Sequence, residues 1–377
     1  MKKRILQVVS SLNAGGAETI IMNIYKVIDR EKIQFDFLVF GNTEGFYSKD
    51  IISLGGRIFS IEPVRKTGLI RYLHNLITII KKNGPYDAVH AHIDYLSGFV
   101  ALAARIAGVK KRICHSHNTE ALTYIGSLNK LMLFFIRKII IHNATDLFAC
   151  GKDAAVFMFG SKGALKAEII NNSINLDLFS TPLTQCERET LRNKIGVKKG
   201  AKIIGNIGRF AEQKNHKRII DIYAYLNSKD SNYELVLVGD GELRSEIEQY
   251  VEMLGLKEKV YFLGLRQDVY LIIKLFDVLL LPSLFEGFPV TLIEAQAAGV
   301  DCVVSDVITR DVDIGLDLVH FVSLKDDNDT WVKVIESLQN KKKKELSSCK
   351  KILAEKGFDI YRNLRKFYEA YGMNDIE

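Results

Sequence analysis

The sequence predicts an α/β protein of two Rossmann-like, doubly wound domains that face a cleft. Three observations carry that expectation. Short apolar runs alternate with longer amphipathic stretches, the rhythm of a parallel sheet with helices on both faces. The rhythm stops at a polar break over residues 180–200 and then restarts. The charge divides near the same place: residues 1–185 hold 23 Lys+Arg and 14 Asp+Glu, net +9, and residues 186–377 hold 29 and 31, net −2.

In the front half, strands are expected at 4–10 (RILQVVS), 34–40 (QFDFLVF), 87–92 (DAVHAH), 111–117 (KRICHSH) and 145–150. A Gly-containing loop and a helix over about 17–28 follow the first. Short apolar runs bounded by turn residues suit strands buried on both faces. The break (STPLTQCERETLRNKIGVKKG) has many charges and little apolar periodicity, and is expected as a connection. Further strands are expected at 202–208 (KIIGNIG), 233–239 (YELVLVG), 259–263 (KVYFL), 278–282 (VLLLP) and 301–305 (DCVVS). The domains are therefore placed at 1–180 and 181–357. A last helix, about 358–373, carries Tyr361, Phe367, Tyr368 and Tyr371 and is expected to pack back on the first domain. Ligands of such sheets sit at the C-terminal ends of the strands, so two of them in tandem point to a shared cleft.

Composition excludes several classes. In 377 residues, 47% are hydrophobic and 26% charged, with a net charge of +7, so the chain is no disordered segment, collagen or disulfide miniprotein. Cys114, Cys150, Cys186, Cys302 and Cys349 are odd in number and form no CxxC pair, which points to a reducing cytoplasm. No signal peptide is expected, because residues 5–18 read as a strand and a Gly loop. The most apolar run, 131–141, is broken by Arg137 and Lys138 and is too short to span a bilayer. Lys341–Lys344 reads as a solvated helix end.

The richest constellation is SLFEGFPVTLIEAQAAG at 283–299. A strand, a Gly loop and a helix with Pro289 near its first turn leave free N–H groups and a positive dipole end, an anion site. Glu294 then lies roughly 7–8 Å into the helix at 1.5 Å per residue. A carboxylate at the phosphates would repel them; one displaced that far can accept from a ribose diol. Glu286, before the helix, sits nearer whatever lies beyond the phosphates. The same spacing also suits two surface glutamates flanking an ordinary helix. A second constellation, GNIGRFAEQKNH at 205–216, puts Arg209 directly after a strand and Lys214 in the loop. Two fixed cations there would stabilise a departing diphosphate without a metal, or would be plain surface charges. Gly239-Asp240-Gly241-Glu242 is compatible with a nucleotide wall. Asn13-Ala-Gly15-Gly16-Ala-Glu18 links a strand to a helix but is not the GxGxxG fingerprint. His90/His92 and His115/His117 form two HxH pairs at strand ends. Such pairs can bind zinc, but no acidic ligand accompanies them, and His117 at its strand end is the better functional candidate. Asp311-Val-Asp313 matches a metal-nucleotide DxD only by its short spacing.

Together, SLNAGGAE (11–18), HSHNTE (115–120), GRFAEQKNH (208–216), VGDGELR (238–244), FLG (262–264) and LPSLFEGFPVTLIEAQAAG (281–299) resemble, in order, the motifs of the retaining glycosyltransferases of family 4 (glycosyltransferase group 1), in their bacterial exopolysaccharide and capsule branch. The resemblance implies a GT-B fold and transfer of a hexosyl unit from a nucleotide diphosphate sugar, a UDP-sugar before others. The acceptor implied is a growing cell-surface polysaccharide or its lipid-linked precursor. It implies that Glu294 holds the donor ribose and that Arg209 and Lys214 clamp the diphosphate. Glu286, with the backbone of Gly287 and Phe288, would meet the sugar. Gly15 and Gly16 would admit the donor phosphates, Gly264 would belong to the donor site, and His117 would lie near the reacting sugar and acceptor. No metal, no cofactor and no nucleic acid is implied. HSHN departs from the simpler His contexts of other branches, which leaves the weight of His117 against His115 open. A UDP-sugar epimerase of similar architecture, or a non-catalytic nucleotide-sugar or glycan-binding partner, stand as alternatives. The basic first domain and the apolar surplus of residues 128–148 (LNKLMLFFIRKIIIHNATDLF) add an expectation of peripheral attachment to an anionic membrane surface on the cytoplasmic face. On helical spacing, Leu128, Leu131, Met132, Phe135, Ile136, Ile139 and Ile140 form one stripe there, with Leu133, Phe134 and Ile141 off it.

Overall fold

The computed structural model describes residues 2–118 and 130–373. The chain divides into two compact units, Met1–Ser173 with Asp359–Glu377, and Ile174–Phe358. Thr119 and Glu120 of the HSHNTE segment, Leu128 and the side chain of Leu131 lie outside the described residues.

The first unit is built on a seven-stranded sheet, β1 (Lys3–Val8), β2 (Ile33–Phe40), β3 (Ile58–Ile61), β4 (Ala88–Ala91), β5 (Lys111–Ser116), β6 (Asp146–Ala149) and β7 (Glu168–Ile169). Its order is β3-β2-β1-β4-β5-β6-β7, and every pairing is parallel. Parallel strands need crossovers, and the helices that supply them cover both faces. Leu6 and Val8 of β1 join Leu38, Tyr72, Leu76, Ile80, Val89 and Val100 in one core. Their alternate neighbours look the other way, where Tyr25 stacks on Phe35 and Phe35 meets Tyr371 edge-on. Asp36 of β2 is buried and accepts from Arg4 Nη1 at 2.8 Å, Arg57 Nε at 3.0 Å and Tyr86 Oη at 3.1 Å. A buried carboxylate persists only when paired in this way. The helix Ile360–Ala370 packs on this unit: Ile360, Leu364, Phe367, Tyr368 and Tyr371 recur at helical spacing and are buried. Tyr368 Oη accepts from the Asp29 amide at 3.1 Å, and Asn363 donates to the Asn171 carbonyl at 3.3 Å.

The second unit has a six-stranded parallel sheet, β8 (Lys202–Ile207), β9 (Tyr233–Val238), β10 (Val260–Phe262), β11 (Val278–Leu281), β12 (Asp301–Ser305) and β13 (Val319–Val322), in the order β10-β9-β8-β11-β12-β13. In both sheets the order reverses between the first and fourth strands. The loops after β1 and β4, and after β8 and β11, therefore flank a topological switch point, the usual ligand crevice of open α/β sheets.

Two expectations need correction. The boundary lies at 173/174 rather than 180/181, because Ile174, Leu176 and Phe179 are buried with Leu279 and Leu292 in the second unit. The polar break contains a helix, Gln185–Ile195. It starts on a capping box in which the Thr184 hydroxyl accepts from the Glu187 amide and the Glu187 carboxylate accepts from the Thr184 amide. Its T-x-x-E signature was present in the sequence.

Candidate functional site

In the second unit, β8 and β9 end in loops that press backbone on backbone. A Cβ on Gly239, at φ +139, would lie 1.9 Å from the Gly208 carbonyl oxygen, and one on Gly241 would lie 2.4 Å from the Phe210 carbonyl oxygen. The Gly208 amide donates to Val238 O at 2.9 Å, Phe210 N to Asp240 O at 3.0 Å, and Gly239 N to Gly264 O at 2.9 Å. Gly264 thus supports the wall at one remove. Gly239→Ala should cost about 1–3 kcal/mol by overpacking. A fall in the melting temperature of roughly 2–4 °C per kcal/mol would check it, with a loss of activity as Gly208–Arg209 shifts.

The loops after β8 and β11 are tied together by side chains. Glu286 Oε1 accepts from Lys214 Nζ at 2.5 Å and from Ser283 Oγ at 2.7 Å, and its Oε2 accepts from Gln213 Nε2 at 3.2 Å. The ammonium and carboxylate are 16% and 6% exposed. Asn215, held at φ +53, donates from Nδ2 to Pro282 O at 3.1 Å. Lys214, read from sequence as a cation beside Arg209, is thus an ion-pair partner of Glu286. Ser283, Gln213 and Asn215 were missed as its supports; their place between two glycine loops was the available signal. Arg209 is exposed, and its guanidinium has no hydrogen bond or ion pair among the described residues. His216 stacks on Phe210 at 4.0 Å between centroids, and burial, with Lys214 nearby, lowers its pKa to about 4.

After β11 the chain enters the helix Val290–Ala297, whose N-terminus has no side-chain cap. Glu294 is the fifth residue of that helix. It is 9% exposed, its carboxyl has no hydrogen bond among the described residues, and burial raises its pKa to about 7. Gly287 is exposed, whereas the Phe288 ring stacks on Phe358 at 5.6 Å and leaves its backbone as the part able to meet a ligand. Two open hydrogen-bond acceptors on Glu294, one uncommitted guanidinium and an uncapped helix start suit a ligand with a diol and anionic groups.

In the first unit, Gly15 precedes the helix Gly16–Val27. A Cβ on Gly15 would lie 2.4 Å from Glu18 Oε2, whereas Gly16 has open space around it. Glu18 accepts from Ser10 Oγ at 2.9 Å, and burial raises its pKa. The two HxH pairs come together at the ends of β4 and β5. His90 and His115 stack at 5.3 Å, and His92 Nδ1 lies 2.9 Å from His117 Nε2. Burial lowers the pKa of all four, that of His117 to about 4, so each imidazole is neutral. Ligand atoms of His90, His92 and His115 lie within 4.8 Å of one another. Both nitrogens of His92 are already engaged, with His117 and with Gln7 Oε1 at 2.9 Å, so the cluster is a hydrogen-bonded network. His115 is buried inside the sheet, and His117 sits part-exposed just past β5. Asp313 accepts from Gly315 N at 3.0 Å within an exposed turn, and Asp311 beside it is exposed as well.

A family model described as glycosyl transferases group 1 matches residues 187–357, and one described as glycosyltransferase family 4 matches residues 14–178. The chain is 39% identical over 375 residues to EpsF of Bacillus subtilis (strain 168), itself named only provisionally as a glycosyltransferase, covering 99% of this chain and 97% of that one. It is 26% identical to the UDP-Gal:alpha-D-GlcNAc-diphosphoundecaprenol alpha-1,3-galactosyltransferase of Escherichia coli, over 95% of this chain and 93% of the relative. Among solved structures, Anabaena HepE in complex with UDP-glucose superposes with a TM-score of 0.75 at 18% identity, over 97% of this chain and 98% of that chain, a likeness of GT-B fold. With both halves matched and a relative of this identity along nearly its whole length, the chain belongs to the group 1, family 4 glycosyltransferases and is a glycosyltransferase.

Proposed function

We propose that this enzyme transfers a hexosyl unit from a UDP-sugar, with retention and without a metal, to a growing cell-surface polysaccharide or its lipid-linked precursor. Glu294 carries this reading: a buried carboxyl with no protein partner gains most from a ligand diol, and a ribose supplies one. Arg209 would meet the diphosphate. Lys214, which shares its charge with Glu286, would meet both diphosphate and sugar, and the Gly287 and Phe288 backbone would line the sugar. In the other unit, His117 would meet a substrate hydroxyl. In a front-face reaction the departing phosphate can itself take the acceptor proton, and Arg209 and Lys214 would stabilise its charge. The Escherichia coli relative is named for a UDP-Gal donor and a diphosphoundecaprenol-linked acceptor, and HepE was solved with UDP-glucose.

A melting-temperature panel of UDP, GDP, ADP and their sugars tests the donor. A ligand at 100 times its Kd should stabilise the fold by about 2.7 kcal/mol, and UDP compounds should lead. Turnover should be unchanged in EDTA, should require an acceptor, and should give a product whose anomeric configuration, read by NMR, matches the donor. Donor conversion without an acceptor would support the epimerase reading. Loss in EDTA, restored by Mg²⁺ or Mn²⁺, would overturn the metal-free mechanism.

We infer further that the first unit attaches to the anionic cytoplasmic face of a membrane. No helix among the described residues is long and apolar enough to cross one. The helix Lys130–Asn143 exposes Met132, Phe134 at 50% and Phe135 at 55%, with Lys138 over the Phe134 ring. Met132 and Phe135, placed from spacing on the inward stripe, face outward, whereas Leu133 and Ile136 pack against the core that holds Ile140. Leu69 and Ile70, beside Arg65, Lys66 and Arg71, form a second exposed apolar and basic group. The cluster Lys110/Lys111/Arg112 is a poorer contact: Arg112 donates to the carbonyls of Val109, Lys110 and Asn143, and Lys111 pairs with Asp146 at 3.7 Å. Liposomes with anionic lipid should float the enzyme at low salt and release it as salt screens the charge. Phe134→Ser with Phe135→Ser should abolish flotation, and wild type that never floats would exclude attachment.

A further inference from the structure

Four neutral imidazoles meet in the first unit, and one line of hydrogen bonds fixes how two of them carry their protons. Gln7 Nε2 donates to Tyr371 Oη at 3.0 Å, and that hydroxyl lies 3.0 Å from His90 Nδ1. The amide oxygen of Gln7 only accepts, so His92 Nε2, 2.9 Å away, carries the proton. A neutral His92 then has a bare Nδ1, which must accept from His117 Nε2–H. His117, also neutral, is left with a bare Nδ1. That nitrogen is buried and has no partner among the described residues. The line thus runs from the residue ending the C-terminal helix, through β1 and β4, to a lone pair just past β5.

We propose that Tyr371, Gln7 and His92 are positioning residues that set the tautomer of His117, so that its Nδ1 accepts a hydrogen bond from a substrate hydroxyl. This rests on the reading of His117 as the residue that meets such a hydroxyl. The direction of the line decides the outcome. With the Gln7 amide turned over, each shared proton moves to the other partner, and His117 offers Nδ1–H. A donor there would oppose a hydroxyl that must point its own proton at the ring. The tautomer of a histidine is set by what its other nitrogen bonds, and here that is a chain rather than a single carboxylate.

The full chain labelled with ¹⁵N-histidine tests this. Long-range ¹H–¹⁵N spectra report which ring nitrogen is protonated, and the His117→Gln spectrum assigns the His117 signals. Native His117 should be the Nε2–H form. Gln7→Met removes both amide contacts, and Tyr371→Phe removes one hydroxyl while keeping the ring that packs on Phe35 and Phe367. Each should give mixed tautomers at His117 and a kcat lower by roughly 10- to 100-fold, with the Kd for UDP unchanged. If Gln7→Met does not fold, Tyr371→Phe decides. Nδ1–H on native His117 overturns the proposal, as does a native tautomer with full kcat in the folded variants. Full turnover in His117→Gln would instead remove the reading of His117 itself. An inactive His117→Gln beside fully active Gln7→Met and Tyr371→Phe would remove the positioning chain alone.

Discussion

Arg209→Ala should lower kcat by roughly 100- to 1000-fold, the cost of removing one donor from a developing oxyanion, and should leave the melting temperature close to wild type. Its guanidinium is exposed and uncommitted, so the fold loses little. The departing diphosphate gains charge only as the glycosidic bond breaks, so kcat should fall more than the donor KM rises. Lys214→Ala should lower kcat as well and should differ in stability. It leaves Glu286, 6% exposed, with Ser283 and Gln213 but no cation. Breaking a buried ion pair from one side costs about 3–5 kcal/mol, a visible drop in a urea midpoint. Unchanged kcat with a raised KM in Arg209→Ala would show uniform binding and remove the transition-state role.

Glu294 should give opposite effects on binding and on stability. Glu294→Ala should weaken UDP binding by about ten- to a hundredfold, from the loss of a charge-assisted hydrogen bond of about 1.5–3 kcal/mol. Isothermal titration reads this directly, and an unchanged Kd in a folded variant would end the ribose assignment. Stability should move the other way in Glu294→Gln. Burial lifts the Glu294 pKa from 4.5 to about 7, so between those values the folded chain binds a proton that the unfolded chain has lost. Stability therefore falls as pH rises from about 4.5, and the loss is complete above about 7, where it amounts to about 3 kcal/mol at ~1.4 kcal/mol per pH unit. Glu294→Gln carries no such penalty. Without ligand at pH 8 it should melt above wild type, and the gap should close near pH 5. A wild-type curve as steady as that of Glu294→Gln from pH 5 to 8 would show that the carboxyl is not strained by burial.

The two α/β units and most of the strands were legible in the sequence, as were the glycine loops after β8, β9 and β11. Strands such as RILQVVS need only local apolarity to be recognised, and β1, β2, β8, β9, β11 and β12 lie where their apolar runs are. The spacing from Glu286 to Glu294 and from Arg209 to Lys214 was equally local. Three of the four edge strands were not legible, because they are short: β3 is only IFSI, β7 is two residues, and β13 is VHFV, whereas the fourth, β10, lies within the KVYFL run. What the side chains of these loops are bonded to follows from long-range packing. Lys214 finds Glu286 across 72 residues, and His90 finds Tyr371 across 281. The spacing placed Glu294 on its helix, but its lack of a partner and its raised pKa come from the packing around it. The inward and outward faces of Lys130–Asn143 likewise came from the neighbours it packs on. Periodicity and spacing act within one element. Desolvation and pairing depend on which distant strands and helices are brought alongside, so the chemical state of each side chain is a property of the assembled sheet.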